Sequence, residues 1–149
     1  MSFHVHLSFV FLVSKLLNFL PNVQSLRACA SLFDLSTSYP RVTSLTIDFN
    51  SNILCEPTDI LRQMGKFFSN LRYLYLELKD AQNIYILLIY CLRKLVHLLD
   101  IHLTLHEPHA RLDEQAFLLW FNDFKSFNGL NKRIQVEFGD ELNRLHISL

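Results

Sequence analysis

Three imidazoles and a carboxylate crowd one stretch of the chain: His102, His106, Glu107 and His109. These are donor types that hold zinc. However, His102 and His106 fall on or near the end of one expected strand, and Pro108 turns the chain before His109, so convergence on one ion needs a special loop. The simpler reading is a polar strand edge and turn, and no metal or cofactor is assigned. The cysteines, Cys29, Cys55 and Cys91, are odd in number and widely separated, with no histidine close by in sequence. That spacing suits neither a metal knuckle, nor a disulfide framework, nor a thiol activated by a base. Three glycines cannot build a phosphate cradle: Gly65 lies in a helical pattern, Gly129 follows one, and Gly139 sits in a turn. Trp120, Phe121 and Phe124 read as core. No catalytic constellation emerges, and the chain is read as non-enzymatic.

The 149 residues make one domain, half of them hydrophobic and 19% charged, which excludes a disordered chain. Fourteen basic side chains balance fourteen acidic ones, so no long-range field draws nucleic acid or an anionic membrane. The apolar N-terminus has no Lys or Arg ahead of it and is interrupted by Lys15, so it reads as a strand and helix rather than a secretory signal. The run 83–92 falls well short of the roughly 20 residues of a membrane span and reads as a core helix. A reduced intracellular setting, cytoplasmic or nuclear, is expected.

The thirty leucines are spaced rather than scattered. An apolar residue followed by another three later, and then by alternation, recurs along the chain. The copies are Val23, Leu26, Ala28; Val42, Leu45, Ile47, Phe49, ending in Asn50; Leu71, Leu74, Leu76, Leu78; and Val96, Leu99, Ile101, Leu103, Leu105. Phe3, Val5 and Leu7 make a truncated first copy. Aligning Val5, Leu26, Leu45, Leu74 and Leu99 gives spacings of 21, 19, 29 and 25. Pro21-Asn22, Pro40-Arg41 and Ser69-Asn70 mark turns before strands. Helical spacing lies between them: Pro57 opens a helix with Ile60, Leu61, Met64, Phe67 and Phe68. Asp80 caps one with Ile84, Leu87, Leu88, Cys91 and Leu92, and Asp113 with Glu114 opens one with Phe117, Trp120, Phe121 and Phe124 inward. Strand alternation at 134–138 and 145–149 about Gly139-Asp140-Glu141 predicts an antiparallel hairpin. A rival reading makes Leu142, Leu145, Ile147 and Leu149 another repeat cut short.

These residues resemble leucine-rich repeat proteins: Val42-x-x-Leu45-x-Ile47-x-x-Asn50 matches the family's strand signature, while Ser31, Lys79 and Thr104 stand where the other copies would carry the asparagine. The irregular repeats look more like those that follow an F-box in substrate receptors of cullin-type ubiquitin ligases. The resemblance spans residues 3–125 and implies an α/β fold: a short, curved solenoid of parallel strands with convex helices, and a C-terminal β-hairpin (134–149) as cap. Repeats would start near 3, 23, 42, 71 and 96 in a single domain, 1–149, read as the C-terminal part of something longer. Residues between the core-facing leucines would line a concave face, namely Arg27, Thr46, Asp48, Tyr73, Tyr75, Glu77, Asp100 and His102. The expected function is a protein–protein interaction module using that face, its acidic trio complementing a basic segment. The alternative is the substrate-recognition part of an F-box ligase receptor, which would reach the ligase adaptor only through an upstream F-box.

Overall fold

Alternation with a period of two puts one set of side chains in a core and the other in solvent, and it defines every strand here. The computed structural model describes residues 23–29, 38–49, 64–128 and 134–149. The expected strand at Phe3 to Leu7, the apolar N-terminus, Asn50, Cys55, Gly129 and the helix start from Pro57 through Leu61 lie outside them. Within them run β1 (Ser25–Cys29), β2 (Ser44–Asp48), β3 (Tyr73–Leu78), α1 (Ile84–Lys94), β4 (Asp100–Leu105), α2 (Glu114–Phe127), β5 (Gln135–Phe138) and β6 (Arg144–Ser148). Residues 64–67 form a helical turn that buries Met64 beside Phe68.

The architecture is not the expected leucine-rich repeat solenoid with a hairpin cap. It is a small mixed α/β domain built on one six-stranded sheet of order β1-β2-β3-β4-β6-β5. The strands β1 to β4 pair parallel in sequence order. Then the direction reverses: β6 lies antiparallel to β4, and β5 antiparallel to β6. The terminal hairpin therefore enters the sheet as two further strands instead of closing the end of a stack. The same pairing overturns the reading of Leu142 to Leu149 as a truncated repeat. The physical reason is that an apolar lead-in followed by alternation specifies a half-buried strand, and that pattern is blind to how strands are assembled.

Register among the parallel strands is set twice over. Leu26, Leu45, Leu74 and Ile101 are direct partners across the four strands. Before each strand one carbonyl accepts two amides of the next: Gln24 O takes Thr43 N (2.8 Å) and Ser44 N (3.0 Å), Thr43 O takes Arg72 N (2.8 Å) and Tyr73 N (3.0 Å), and Arg72 O takes Leu99 N (2.7 Å) and Asp100 N (3.1 Å). This step-like bonding corrects the fourth copy. The partner of Leu74 is Ile101, not Leu99, and the buried lead-in is Leu98, whereas Val96 is 73% and Leu99 42% exposed.

Both helices turn their apolar faces into the core formed by the strands. In α1, Ile84, Leu87, Leu88 and Cys91 are buried, and Arg93 and Lys94 in its last turn favour the negative end of the helix dipole. Its N-cap is Asn83 in left-handed conformation (φ 65°), not Asp80, whose carboxylate instead accepts the Gln82 N–H (2.8 Å) in the preceding turn. Burial pushes the Cys91 thiol up to about 12. The helix α2 starts where Asp113 and Glu114 were expected to open it, and Asp113 is its N-cap, accepting the Ala116 N–H at 3.0 Å, while Phe117, Phe121 and Phe124 are buried. Asn128 joins the two helix ends, accepting from Arg93 Nη2 (2.9 Å) and donating to Phe124 O (2.8 Å). Among the described residues no polar or charged residue is fully buried, and no helix is long and apolar enough to cross a membrane.

Phe117 is the hinge pin of this packing: its ring meets Tyr85 of α1 (6.1 Å), Trp120 and Phe121 of α2 (5.6 and 5.8 Å) and, edge-on, Phe138 of β5 (5.6 Å). Phe117→Ala should cost about 3–5 kcal/mol of unfolding free energy in urea titration. Val96→Ala, at the position assigned to the core by spacing alone, should change it by no more than about 0.5 kcal/mol. A comparable loss from both variants would contradict the observed register.

Candidate functional site

The core-facing alternation leaves the opposite face of the sheet to polar and aromatic side chains, arranged in rows by the strand register. One row runs Ser44, Tyr73, Asp100, Ser148 and Gln135; the next runs Arg27, Thr46, Tyr75, His102, His146 and Glu137; a third carries Asp48, Glu77, Thr104 and Arg144. All eight residues expected to form the binding face, Arg27, Thr46, Asp48, Tyr73, Tyr75, Glu77, Asp100 and His102, lie on it. His146, Ser148, Glu137 and Arg144, which were not among the expected residues, are added to the same face by the hairpin. Their signal was present in the alternation of Val136 and Phe138 with Gln135 and Glu137, and of Leu145 and Ile147 with Arg144, His146 and Ser148.

Two clusters organise the face. In the first, Arg27 Nη2 reaches across β2 to Glu77 Oε1 at 2.7 Å, and Glu77 Oε2 lies 3.4 Å from His106 Nε2. The pair is partly solvated and is worth about 1 kcal/mol or less. In the second, three rings stack across three strands: Tyr75 on His102 (4.6 Å between centroids, 8° between planes) and His102 on His146 (4.1 Å, 7°). His146 Nε2 lies 2.8 Å from Asp100 Oδ1, and its Nδ1 lies 3.7 Å from Glu137 Oε2. Ser148 Oγ donates to Asp100 Oδ1 at 2.7 Å. Beside this cluster an open depression of about 260 Å³ is lined by His102, Glu137, Arg144 and His146 among others.

The second cluster contains a serine, a histidine and an aspartate, yet it is not a nucleophile relay. A relay places the hydroxyl and the carboxylate on opposite nitrogens of the imidazole. Here Ser148 Oγ (3.3 Å) and Asp100 Oδ1 (2.8 Å) both face Nε2, and the serine proton goes to the carboxylate. The histidines that crowd one stretch of the sequence take separate partners: His106 turns to Glu77, and His102 stacks on His146 of another strand.

Electrostatics ties the cluster to pH. Hydrogen bonds from His146 and Ser148 hold the Asp100 carboxyl below its ordinary 3.8, against the opposing effect of burial. Burial, followed by the proximity of His146, lowers the His102 imidazole below its ordinary 6.5, with Asp100 opposing. No family model, curated protein or solved structure matches this chain.

Both groups bind protons more weakly folded than unfolded, so each adds stability at neutral pH that is lost on acidification. For His102 the loss begins as pH falls below 6.5 and is complete below its folded value; for Asp100 it begins below 3.8. Urea midpoints of chelator-treated protein should fall between pH 7 and pH 5, and His102→Gln should flatten that slope. The groups facing His102 are Tyr75 on β3, Asp100 on β4 and His146 on β6. An NMR titration placing His102 at or above 6.5 would contradict the packing described.

Proposed function

We propose that this chain is a non-enzymatic protein-interaction module that holds a protein partner on the polar face of its sheet. The observation that carries this reading is the pair Tyr73 and Tyr75. They project from the same face of the interior strand β3, 38% and 37% exposed, where their apolar rings would otherwise stay wet. Tyrosine supplies contact area with a polar tip at small entropic cost, which is why interfaces favour it. The charges around it are largely answered within the face: Glu77 by Arg27, and Asp100 by His146 and Ser148. Contact area and hydrogen bonding would then select the partner, more than the attraction of an acidic trio for a basic segment. Holding a substrate beside an F-box carried elsewhere would be one case of this reading.

The double variant Tyr73→Ala, Tyr75→Ala should weaken binding of the partner by at least about 30-fold, on the scale of interface anchor residues. Its circular dichroism and thermal midpoint should stay near those of the unaltered chain. Leu119→Ala, on the outer side of α2, should leave binding as it was. The measurement is affinity capture quantified by mass spectrometry, followed by a dissociation constant with the purified partner. Undiminished binding by the double variant removes the tyrosine face from the reading.

A further inference from the structure

Asp100 and His102 stand two residues apart on β4 and so project from one side of the sheet, while His146 lies directly opposite His102 on the antiparallel β6. One ligand atom from each of the three comes within 4.8 Å of the others, and the three are half-buried. Among the described residues no other group of three or more histidine, cysteine, aspartate or glutamate side chains gathers this closely. We propose that Asp100, His102 and His146 form a binding site for a divalent first-row transition-metal ion of the zinc type. This does not depend on the protein-interaction reading.

Two imidazole nitrogens and one carboxylate oxygen are a donor set such ions accept, with a further position left for water. Tetrahedral zinc at bond lengths of about 2.0–2.1 Å holds its donors about 3.3 Å apart. The three atoms must therefore draw in by no more than about 1.5 Å from their present limit, which side-chain torsions supply on a fixed backbone. His102 and His146 are now parallel to within 7°, so their lone pairs do not converge. Binding tilts the rings toward one another, and the ion replaces the His146–Asp100 hydrogen bond. The flank on the other side of His102 is the half-exposed Tyr75, which leaves that ring room to turn.

The surroundings are those a metal site needs. Ligating histidines commonly engage a carboxylate with their second nitrogen, and ligating carboxylates are themselves hydrogen-bonded. Glu137 faces Nδ1 of His146, the nitrogen turned away from Asp100, and Ser148 donates to Asp100 Oδ1. The site also adjoins the open depression, which gives an entry path. With two neutral imidazoles and one carboxylate, the bound ion keeps one net positive charge at the surface.

The test is calorimetric titration of zinc chloride into the full, untagged chain after chelator treatment. One equivalent should bind. His146→Gln and Asp100→Asn should each weaken binding by at least about 100-fold, and Glu137→Gln by about 10-fold, in line with an outer partner. His109→Gln should leave affinity unchanged. Because Asp100 and His146 also bond one another, their variants could lose the fold, so the unaltered protein is read as well. On adding zinc, the ring resonances of His102 and His146 should shift together while those of His97, His106 and His109 stay in place. Absence of stoichiometric binding, affinity retained by a folded His146→Gln protein, or shifts centred on His106 and His109 would each overturn the proposal.

Discussion

The structure depends on the register of one apolar row. Leu26, Leu45, Leu74 and Ile101 are mutual partners across four parallel strands, and Ile101 pairs with Ile147 where the sheet turns antiparallel. Side chains in a strand alternate with a period of two, so a slip of one residue at any of these pairings would exchange the two faces. His102, Tyr75 and Glu77 would enter the core, and leucines would meet water. Burying a leucine or isoleucine is worth about 1.5–3 kcal/mol, so the row resists such a slip by several side chains at once. The doubled carbonyl bonds at Gln24, Thr43 and Arg72 hold the same register from the backbone side. The polar face is thus positioned by residues that never touch it.

That dependence explains what could be read from the residues beforehand. Alternation identified the strands and sorted all eight candidate residues onto one face, because period two is a local property. The helix start at Asp113 was legible for the same reason: a carboxylate followed three residues later by a free helix amide is a short-range event. At Asp80 the same chemistry misled. Its carboxylate bonds the Gln82 amide two residues on, closing a turn, and the helix starts later at a left-handed Asn83. In Val96-His-Leu-Leu99 four residues hold three apolar side chains, so two alignments of the fourth strand were equally good on spacing; only the Arg72 carbonyl, distant in sequence, selects Leu98 as the buried one.

The architecture was misread at a different level. Parallel and antiparallel pairing bury the same alternating set, and nothing local to 134–149 says whether a hairpin closes a stack or joins the sheet. What decides it is tertiary: Leu105 N bonds Asn143 O, Leu112 N bonds Leu142 O, and Leu149 N bonds Leu99 O, so that β6 is drawn alongside β4 over its whole length. Leu142 adopts a positive φ of 56° in the loop between β5 and β6, and the bond from Leu112 fixes that turn from outside the hairpin. On the other side of the same loop a Cβ on Gly139 would stand 3.0 Å from that of Arg144, so a side chain there would have to push its neighbour aside by a few tenths of an ångström.

The reversal of direction has a chemical consequence. Without the hairpin, Asp100 and His102 would sit on an edge strand with their unpaired side open to water. An antiparallel neighbour places its residues directly opposite, close enough for side chains to interact as pairs. His146 thereby comes face to face with His102 while its Nε2 reaches Asp100, two residues along, and Ser148 covers the remaining flank of that carboxylate. The interactions bring a second gain. Asp100 finds its partners, His146 and Ser148, on the other strand, and these bonds hold its carboxyl low, while burial lowers the imidazole of His102, whose ring is stacked between Tyr75 and His146. The strand that breaks the parallel order is therefore the one that completes the cluster, and it also removes β4 from the exposed sheet edge. Fold and site meet at this pairing, since the contacts that seat β6 are the ones that make its histidine a partner for residues more than forty positions earlier.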